Sequence, residues 1–239
     1  EVAYARSRPG RIYALVDRRS GDLYRSDDGG ANWELMSNPK VLAEQGNYDN
    51  TLWVDPFDDK LLLAGGVDLV RSTDGGTTWK AFQSGTATSA ESYRTINNTR
   101  TVIHPDFHWI VAAAGYDGAA NRRVYLGNDG GVFRIEDVRT NLFDSVLQPN
   151  GWQRLNGDSL RVTQFYGVAA SPEPNPYLAG GAQDNGVVFS TQGAGGATAR
   201  IASGDGMSPS IDPSVDSLYY TIQWLAARRI DRASVPGNR

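Results

Sequence analysis

The chain has 239 residues and a formal net charge of −4, enough length for a sizeable core and no basic stripe of the kind a nucleic-acid surface needs. It has no cysteine, which excludes disulfide frameworks and thiolate metal or nucleophile chemistry. No apolar run reaches the roughly 18 residues of a membrane span. The chain begins at Glu1 rather than Met, which reads as a processed or partial chain whose lack of a leader says nothing of its destination.

Taken from the N-terminus, the apolar runs are short, separated by turn residues, and grouped in threes. The first unit offers Val2-Ala3-Tyr4-Ala5, Ile12-Tyr13-Ala14-Leu15 and Leu23-Tyr24-Arg25. The second offers Leu52-Trp53-Val54, Leu61-Leu62-Leu63-Ala64 and Leu69-Val70-Arg71, and the third Trp109-Ile110-Val111-Ala112, Val124-Tyr125-Leu126 and Val132-Phe133-Arg134. Tyr166-Gly167-Val168-Ala169, Tyr177-Leu178-Ala179 and Val187-Val188-Phe189 make a fourth, and Pro209-Ser210-Ile211, Leu218-Tyr219-Tyr220 and Ala227 to Ile230 a fifth. Fourth strands are expected from Trp33, Trp79 and Trp152 and near Ala199, with none in the last unit. The 27 glycines exceed the usual share of about 7% and lie between the runs, as hairpin turns require. Short strands without a 3.6-residue period argue for an all-β chain, and four strands per unit argue for propeller blades. The expected fold is a β-propeller of four-stranded antiparallel blades, at about 1–38, 48–85, 101–156, 164–203 and 207–239, the last incomplete. One segment over 1–239 would then belong to a longer parent.

Two of the units carry the same punctuation. Ser26-Asp27-Asp28-Gly29-Gly30-Ala31-Asn32-Trp33 and Ser72-Thr73-Asp74-Gly75-Gly76-Thr77-Thr78-Trp79 both fit Ser-x-Asp-x-Gly-x-x-Trp, with the two Trp residues 46 apart. Asp28 and Asp74 can accept backbone N–H groups of their own turn. Gly30 and Gly76 supply positive φ, and Trp33 and Trp79 are placed to wedge between neighbouring sheets. These residues are read as turn architecture rather than catalytic groups.

The pattern resembles the Asp-box (BNR) repeat of bacterial sialidase-type propellers. Tyr125 to Phe133, Gln164-Phe165-Tyr166, Gly180 to Gly186, Gly204-Asp205-Gly206 and Ile211-Asp212-Pro213, in that order, resemble exported bacterial Asp-box proteins related to the sortilin ectodomain and to xyloglucanase-type glycoside hydrolases. The resemblance implies a multi-blade propeller in a large exported protein, extracellular or periplasmic. It also implies that Asp129, in a strand–Asp–Gly–Gly–strand context, matches a hydrolase carboxylate, and that Asp184 does so less well because Asn185 stands where the first glycine would be.

Three groups of residues are candidates for chemistry. Asp129 and Asp184 are the candidate catalytic pair, since glycoside hydrolysis needs two carboxylates about 5–10 Å apart; the alternative is that both are Asx-turn residues before glycine. Asn128, Gln183 and Asn185 flank them as ligand-binding candidates. His104, Asp106 and His108 would share one face of an extended segment, where they could bind ligand or a divalent metal, or simply fix a loop; no other cofactor is expected. Tyr48, Trp53, Tyr93, Trp109, Tyr116, Phe165 and Trp224 are sugar-stacking candidates or inter-blade packing. A recognition module for a polysaccharide or protein ligand is the leading reading, with no nucleic acid and no membrane span. A xyloglucanase-type hydrolase is the alternative, and an assembly scaffold a third.

Overall fold

The structure, a computed structural model, describes residues 1–81, 105–140, 152–156, 163–172, 177–190, 198–223 and 226–234. His104, Tyr93 and Trp224 lie outside them. The chain divides into two compact units, Glu1–Arg161 and Val162–Arg239. Among the described residues both are all-β apart from short 3-10 turns, and no helix among them is long and apolar enough to cross a membrane.

The first unit holds three four-stranded antiparallel sheets, each joined in simple meander order. The first sheet contains β1 (Val2–Tyr4), β2 (Ile12–Val16), β3 (Asp22–Ser26) and β4 (Glu34–Ser37). The second contains β5 (Thr51–Asp55), β6 (Asp58–Gly65), β7 (Leu69–Ser72) and β8 (Lys80–Ala81). The third contains β9 (Phe107–Ala112), β10 (Val124–Asn128), β11 (Gly131–Ile135) and β12 (Trp152–Arg154). In the second unit β13 (Phe165–Ala170), β14 (Leu178–Ala182), β15 (Gly186–Ser190) and β16 (Thr198–Ala202) form one sheet. A three-stranded sheet follows, of β17 (Ser210–Asp212), β18 (Ser217–Ile222) and β19 (Ala226–Asp231). These are propeller-type blades, and the chain is a partial propeller.

Strand alternation explains the packing. Side chains on a strand point to opposite faces in turn, and the second sheet has a neighbour on each. Leu52, Val54, Leu62 and Ala64 pack toward the first sheet in a core with Tyr13, Leu15 and Leu23. Trp53, Leu61 and Leu63 pack the other way, in a core with Phe107, Ile110, Leu126 and Phe133 of the third sheet. A strand buried on both faces reads as a continuous apolar run, which is how Leu61-Leu62-Leu63-Ala64 looks. Tyr177, Ala179, Phe189 and Leu218 form the core of the second unit.

Polar ties run between the sheets of the first unit. Arg11, 6% exposed, is bonded to Asp27 in its own blade and to Asp59 in the next, and Tyr13 donates to the Asp59 carbonyl at 2.8 Å. Buried Arg71 donates to the carbonyls of Val138 and Thr140, both at 2.7 Å.

The two Ser-x-Asp-x-Gly-x-x-Trp turns are built alike. Ser72 Oγ donates to Asp74 Oδ1 at 2.8 Å and accepts from the Gly76 amide at 2.8 Å, while Asp74 Oδ1 accepts the amides of Thr77 and Thr78. Ser26, Asp28, Gly30 and Asn32 repeat the arrangement. Gly30 and Gly76 have φ of 96° and 84°. The backbone and side-chain donors of Asn32, with Ser26, hold Asp28 down at about 2. Burial works to raise Asp74, but the donors from Thr78 and Ser72 outweigh it and its pKa is lowered.

The two tryptophans differ. Trp79 donates from Nε1 to Ser37 Oγ of the first sheet at 2.9 Å, and Ser37 in turn donates to the Gly76 carbonyl. It is a wedge between sheets, as expected. Trp33 is 43% exposed and donates within its own turn, to the Gly30 carbonyl.

Candidate functional site

In a four-stranded antiparallel meander, the start of the first strand and the turn between the second and third lie at the same end. The linker that delivers the first strand reaches that end too. In the third sheet this end carries Asp106, His108 and Asp129.

The local geometry of His108 comes from a break in register. Gly127 pairs with Trp109, but Asn128 pairs with Phe107, so His108 is the extra residue of a β-bulge. A bulge re-aims the side chain it carries, and the burial sequence of Phe107-His108-Trp109-Ile110 shows two exposed residues together instead of alternating. His108 Nε2 lies 2.6 Å from Asp129 Oδ1. Tyr48, from the linker between β4 and β5, donates its hydroxyl to both Asp129 oxygens, at 3.1 and 2.9 Å. The Tyr48 and His108 rings meet edge-on, with centroids 4.9 Å apart and an interplanar angle of 87°. Three elements distant in sequence thus converge on one carboxylate whose side chain is only 11% exposed, beside a tyrosine that is 47% exposed.

The Asp129 turn is held from both sides. Asn128 Oδ1 accepts the Gly130 amide at 3.0 Å, an Asx-turn, and Asn156 accepts the Val132 amide at 2.8 Å while donating to the Gly130 carbonyl. Gly131 has φ of 113°, and a Cβ there would strike the Asn156 side chain.

The linker bearing Tyr48 is pinned to the first unit by buried Val41 and Leu42 and by the Leu42 amide on the Ser20 carbonyl. It closes in a turn in which the Tyr48 and Asp49 amides both donate to the Gln45 carbonyl. Gly46 sits so near Asp17 that a Cβ would come within 2.6 Å of its carboxyl carbon. Gln45 Nε2 donates to Asp106 Oδ1 at 2.5 Å and to Asp49 Oδ2 at 3.0 Å. Asp49 is wholly buried, and burial first, then the neighbouring Asp106 carboxyl, push it up to about 6.

The expectation of one face shared by His104, Asp106 and His108 is therefore corrected for its two described members. Asp106 has φ of 63°, so the segment is not extended there, and His108 is bulged. Asp106 turns to Gln45 and His108 to Asp129. No group of three His, Asp or Glu side chains among the described residues is arranged to hold a metal ion.

Asp184 lies in the second unit and in a different kind of turn. Asn128 pairs with Gly131, leaving the two-residue turn Asp129-Gly130, whereas Ala182 pairs with Gly186, leaving the three residues Gln183-Asp184-Asn185. By register it is Gln183 that takes the place of Asp129. Asp184 has φ of 55° and donates its amide to Asp205 Oδ1 at 2.9 Å, whose own amide donates to Gln223. Asn185 Nδ2 donates to the Gln183 carbonyl at 2.9 Å. This sheet repeats the bulge: Phe165 pairs with Ala182 and Gly167 with Gly181, so Tyr166 stands where His108 stands in the third sheet.

Sequence reasoning singled out Asp129, His108, Asp106 and Tyr48 but did not bring Tyr48 and His108 to Asp129, and it missed Gln45, Asp49 and Asn156. Gln45 and Asp49 lie in a linker outside the repeated strands and turns, where nothing local marks them.

No family model matches the chain, and no curated protein matches it. Among solved structures, it is similar to the GH74 enzyme of Niastella koreensis at a TM-score of 0.44 and 16% identity, over 92% of this chain and 33% of that one. It is similar to the β-propeller domain of Cps50 (Swd1) from Myceliophthora thermophila at 0.37 and 13%, over 93% and 67% of the two chains. It is similar to the structure of the nidogen/laminin complex at 0.40 and 9%, over 95% and 74%. The chain thus spans about a third of the length of that GH74 enzyme. Identities of this size speak to fold alone, and the propeller assignment rests on the sheets described above.

Proposed function

We propose that the chain is part of an extracellular or cell-surface propeller of the Asp-box kind. In this reading it recognises a hydroxyl-rich glycan through Tyr48, His108 and Asp129. The observation that supports this reading is the convergence of a half-exposed aromatic ring, an imidazole and a carboxylate from three separate elements. A tyrosine offers an apolar face to sugar C–H groups and a polar tip to hydroxyls, while the carboxylate accepts and the imidazole donates or accepts. Trp109, next to His108, is 68% exposed and extends the aromatic surface of that strand.

The xyloglucanase-type alternative asks for two carboxylates flanking a glycosidic bond. Asp129 supplies one that is already oriented by Tyr48 and His108. Of the carboxyls that burial raises, Asp49 is wholly buried and cannot touch a substrate, and half-buried Asp68, in the turn after β6, has no contact with Asp129 among the described residues. Recognition is therefore the better-supported function.

The two readings separate in one experiment: binding isotherms and reducing-sugar release on a panel of plant and bacterial polysaccharides, with Tyr48→Phe and Asp129→Asn in parallel. Recognition predicts binding without release, weakened about 10–100-fold in either variant, the equivalent of one hydrogen bond to a charged group. Release that disappears in Asp129→Asn would make the chain a hydrolase.

A further inference from the structure

Among the wholly buried carboxyls that the recognition site does not use, Asp22 is paired with Arg19 and Asp55 with Arg139, whereas Asp49 has no ion pair among the described residues. Asp49 is wholly buried; its Oδ2 accepts from Gln45, and its Oδ1 has no hydrogen-bond partner among the described residues. The same Gln45 nitrogen donates to Asp106. Two acidic side chains from distant segments thus meet on one neutral amide, and neither makes an ion pair among the described residues. Asp106 is held there at φ of 63°, a region most residues avoid.

The position of this knot gives it a consequence. Asp49 follows Tyr48 directly, and Asp106 lies two residues before His108. We propose that Gln45, Asp49 and Asp106 form a proton-operated clasp that holds the linker bearing Tyr48 against the segment bearing His108. Its bearing on recognition rests on the reading of Tyr48, His108 and Asp129 given above; the clasp itself does not. With Asp49 protonated, its hydroxyl donates to the Asp106 carboxyl and the vacant oxygen is satisfied. With Asp49 ionised, two carboxylates compete for one amide while Asp49 itself is shielded from solvent, and the linker is pushed away from the strand.

Among the described residues, the other charged groups around the knot do not supply a compensating cation. On the linker, Lys40 and Glu44 are exposed. Asp17, from the turn after β2, lies against Gly46, and Asp68, from the turn after β6, bonds its amide to the Val41 carbonyl. On the β9 side, His108 is committed to Asp129. The surroundings are acidic, which favours the proton.

The sign follows from burial and repulsion. Released to solvent, Asp49 would titrate at its ordinary 3.8, whereas in the clasp it titrates at about 6. The closed form is therefore favoured most below pH 4, loses ground as pH rises toward 6, and is level above that. The difference of about two pH units corresponds to about 100-fold in the ratio of closed to open forms.

The test is native-state hydrogen exchange of the Tyr48 and Asp49 amides, which donate to the Gln45 carbonyl at 2.8 and 3.1 Å, corrected for intrinsic rates. Between pH 4 and pH 7 the wild-type protection at these amides should fall about 100-fold. Asp49→Asn, whose amide donates at every pH, should hold the acid value throughout, and Asp106→Asn should flatten the profile as well. The buried Leu62 and Leu63 amides report whether each variant is folded. Wild-type protection that does not change with pH would overturn the clasp, and so would a folded Asp49→Asn that tracks the wild type. Because no ligand is needed, the outcome is independent of whether the glycan reading holds.

Discussion

Ser72→Ala removes one hydroxyl from the turn that joins the second sheet to its last strand. Ser72 is wholly buried, and its Oγ both donates to Asp74 Oδ1 and accepts the Gly76 amide, in each case at 2.8 Å. Without it a buried amide loses its acceptor, at a cost of about 1–3 kcal/mol, and a carboxylate loses a donor that is partly replaceable by water. The expected loss is about 2–3 kcal/mol, or about 4–12 °C in Tm for a chain of this size. Urea unfolding followed by intrinsic tryptophan fluorescence reads the loss, with a contribution from Trp79, which bonds to Ser37 across the sheet boundary. Asp74→Asn keeps an oxygen for the amides of Thr77 and Thr78 and should cost less than Ser72→Ala. A Ser72→Ala loss below about 0.5 kcal/mol would refute the hydroxyl's role as the centre of the turn, as would a larger loss in Asp74→Asn; both limits lie outside the range expected for a buried unsatisfied amide.

Two further perturbations follow from the same turns. Gly29→Ala, at φ of 75° with open space around the new methyl, should cost about 1–2 kcal/mol of backbone strain. Gly76→Ala, at φ of 84° with its methyl 2.2 Å from Leu23 Cδ2, adds overpacking and should cost about 2–5 kcal/mol; equal midpoints in urea would contradict this. Asp28 is held at about 2 by Asn32 and Ser26, below its ordinary 3.8. Its contribution is therefore present above about pH 4 and lost as pH falls toward 2. The stability gap between wild type and Asp28→Asn at pH 7 should close by pH 2, as read from thermal melts at intermediate pH values.

What was legible in the sequence is what each blade settles locally. Ser26 to Trp33 and Ser72 to Trp79 announce their own hydrogen bonds, because every partner lies within a few residues. The runs around Leu61 and Leu126 give strands because alternation and length are properties of the run itself. Trp33 and Trp79 look the same in sequence, yet Trp33 bonds within its own turn and Trp79 across to Ser37, a long-range tie that no local pattern states. The candidate site was legible only in its members. Asp129 was found from its strand–Asp–Gly–Gly context, but its ties to Tyr48 and His108 span 81 and 21 residues. The bulge that aims His108 is set by pairing with β10, so alternation along the segment gave the wrong face for Asp106 and His108. Gln45 and Asp49 act through a residue 61 and 57 positions away respectively, and nothing local in the linker marks that role.

The claim at the centre of this account is that Tyr48, His108 and Asp129 form a recognition site. Equilibrium binding of wild type and Asp129→Asn to soluble polysaccharides, at fixed pH and with folding checked by intrinsic tryptophan fluorescence, tests it most directly. The account predicts saturable binding to at least one polysaccharide, weakened about 10–100-fold in the variant, with no release of reducing sugar. Binding that is unchanged in a folded Asp129→Asn, or none to any polysaccharide of the panel, would contradict it.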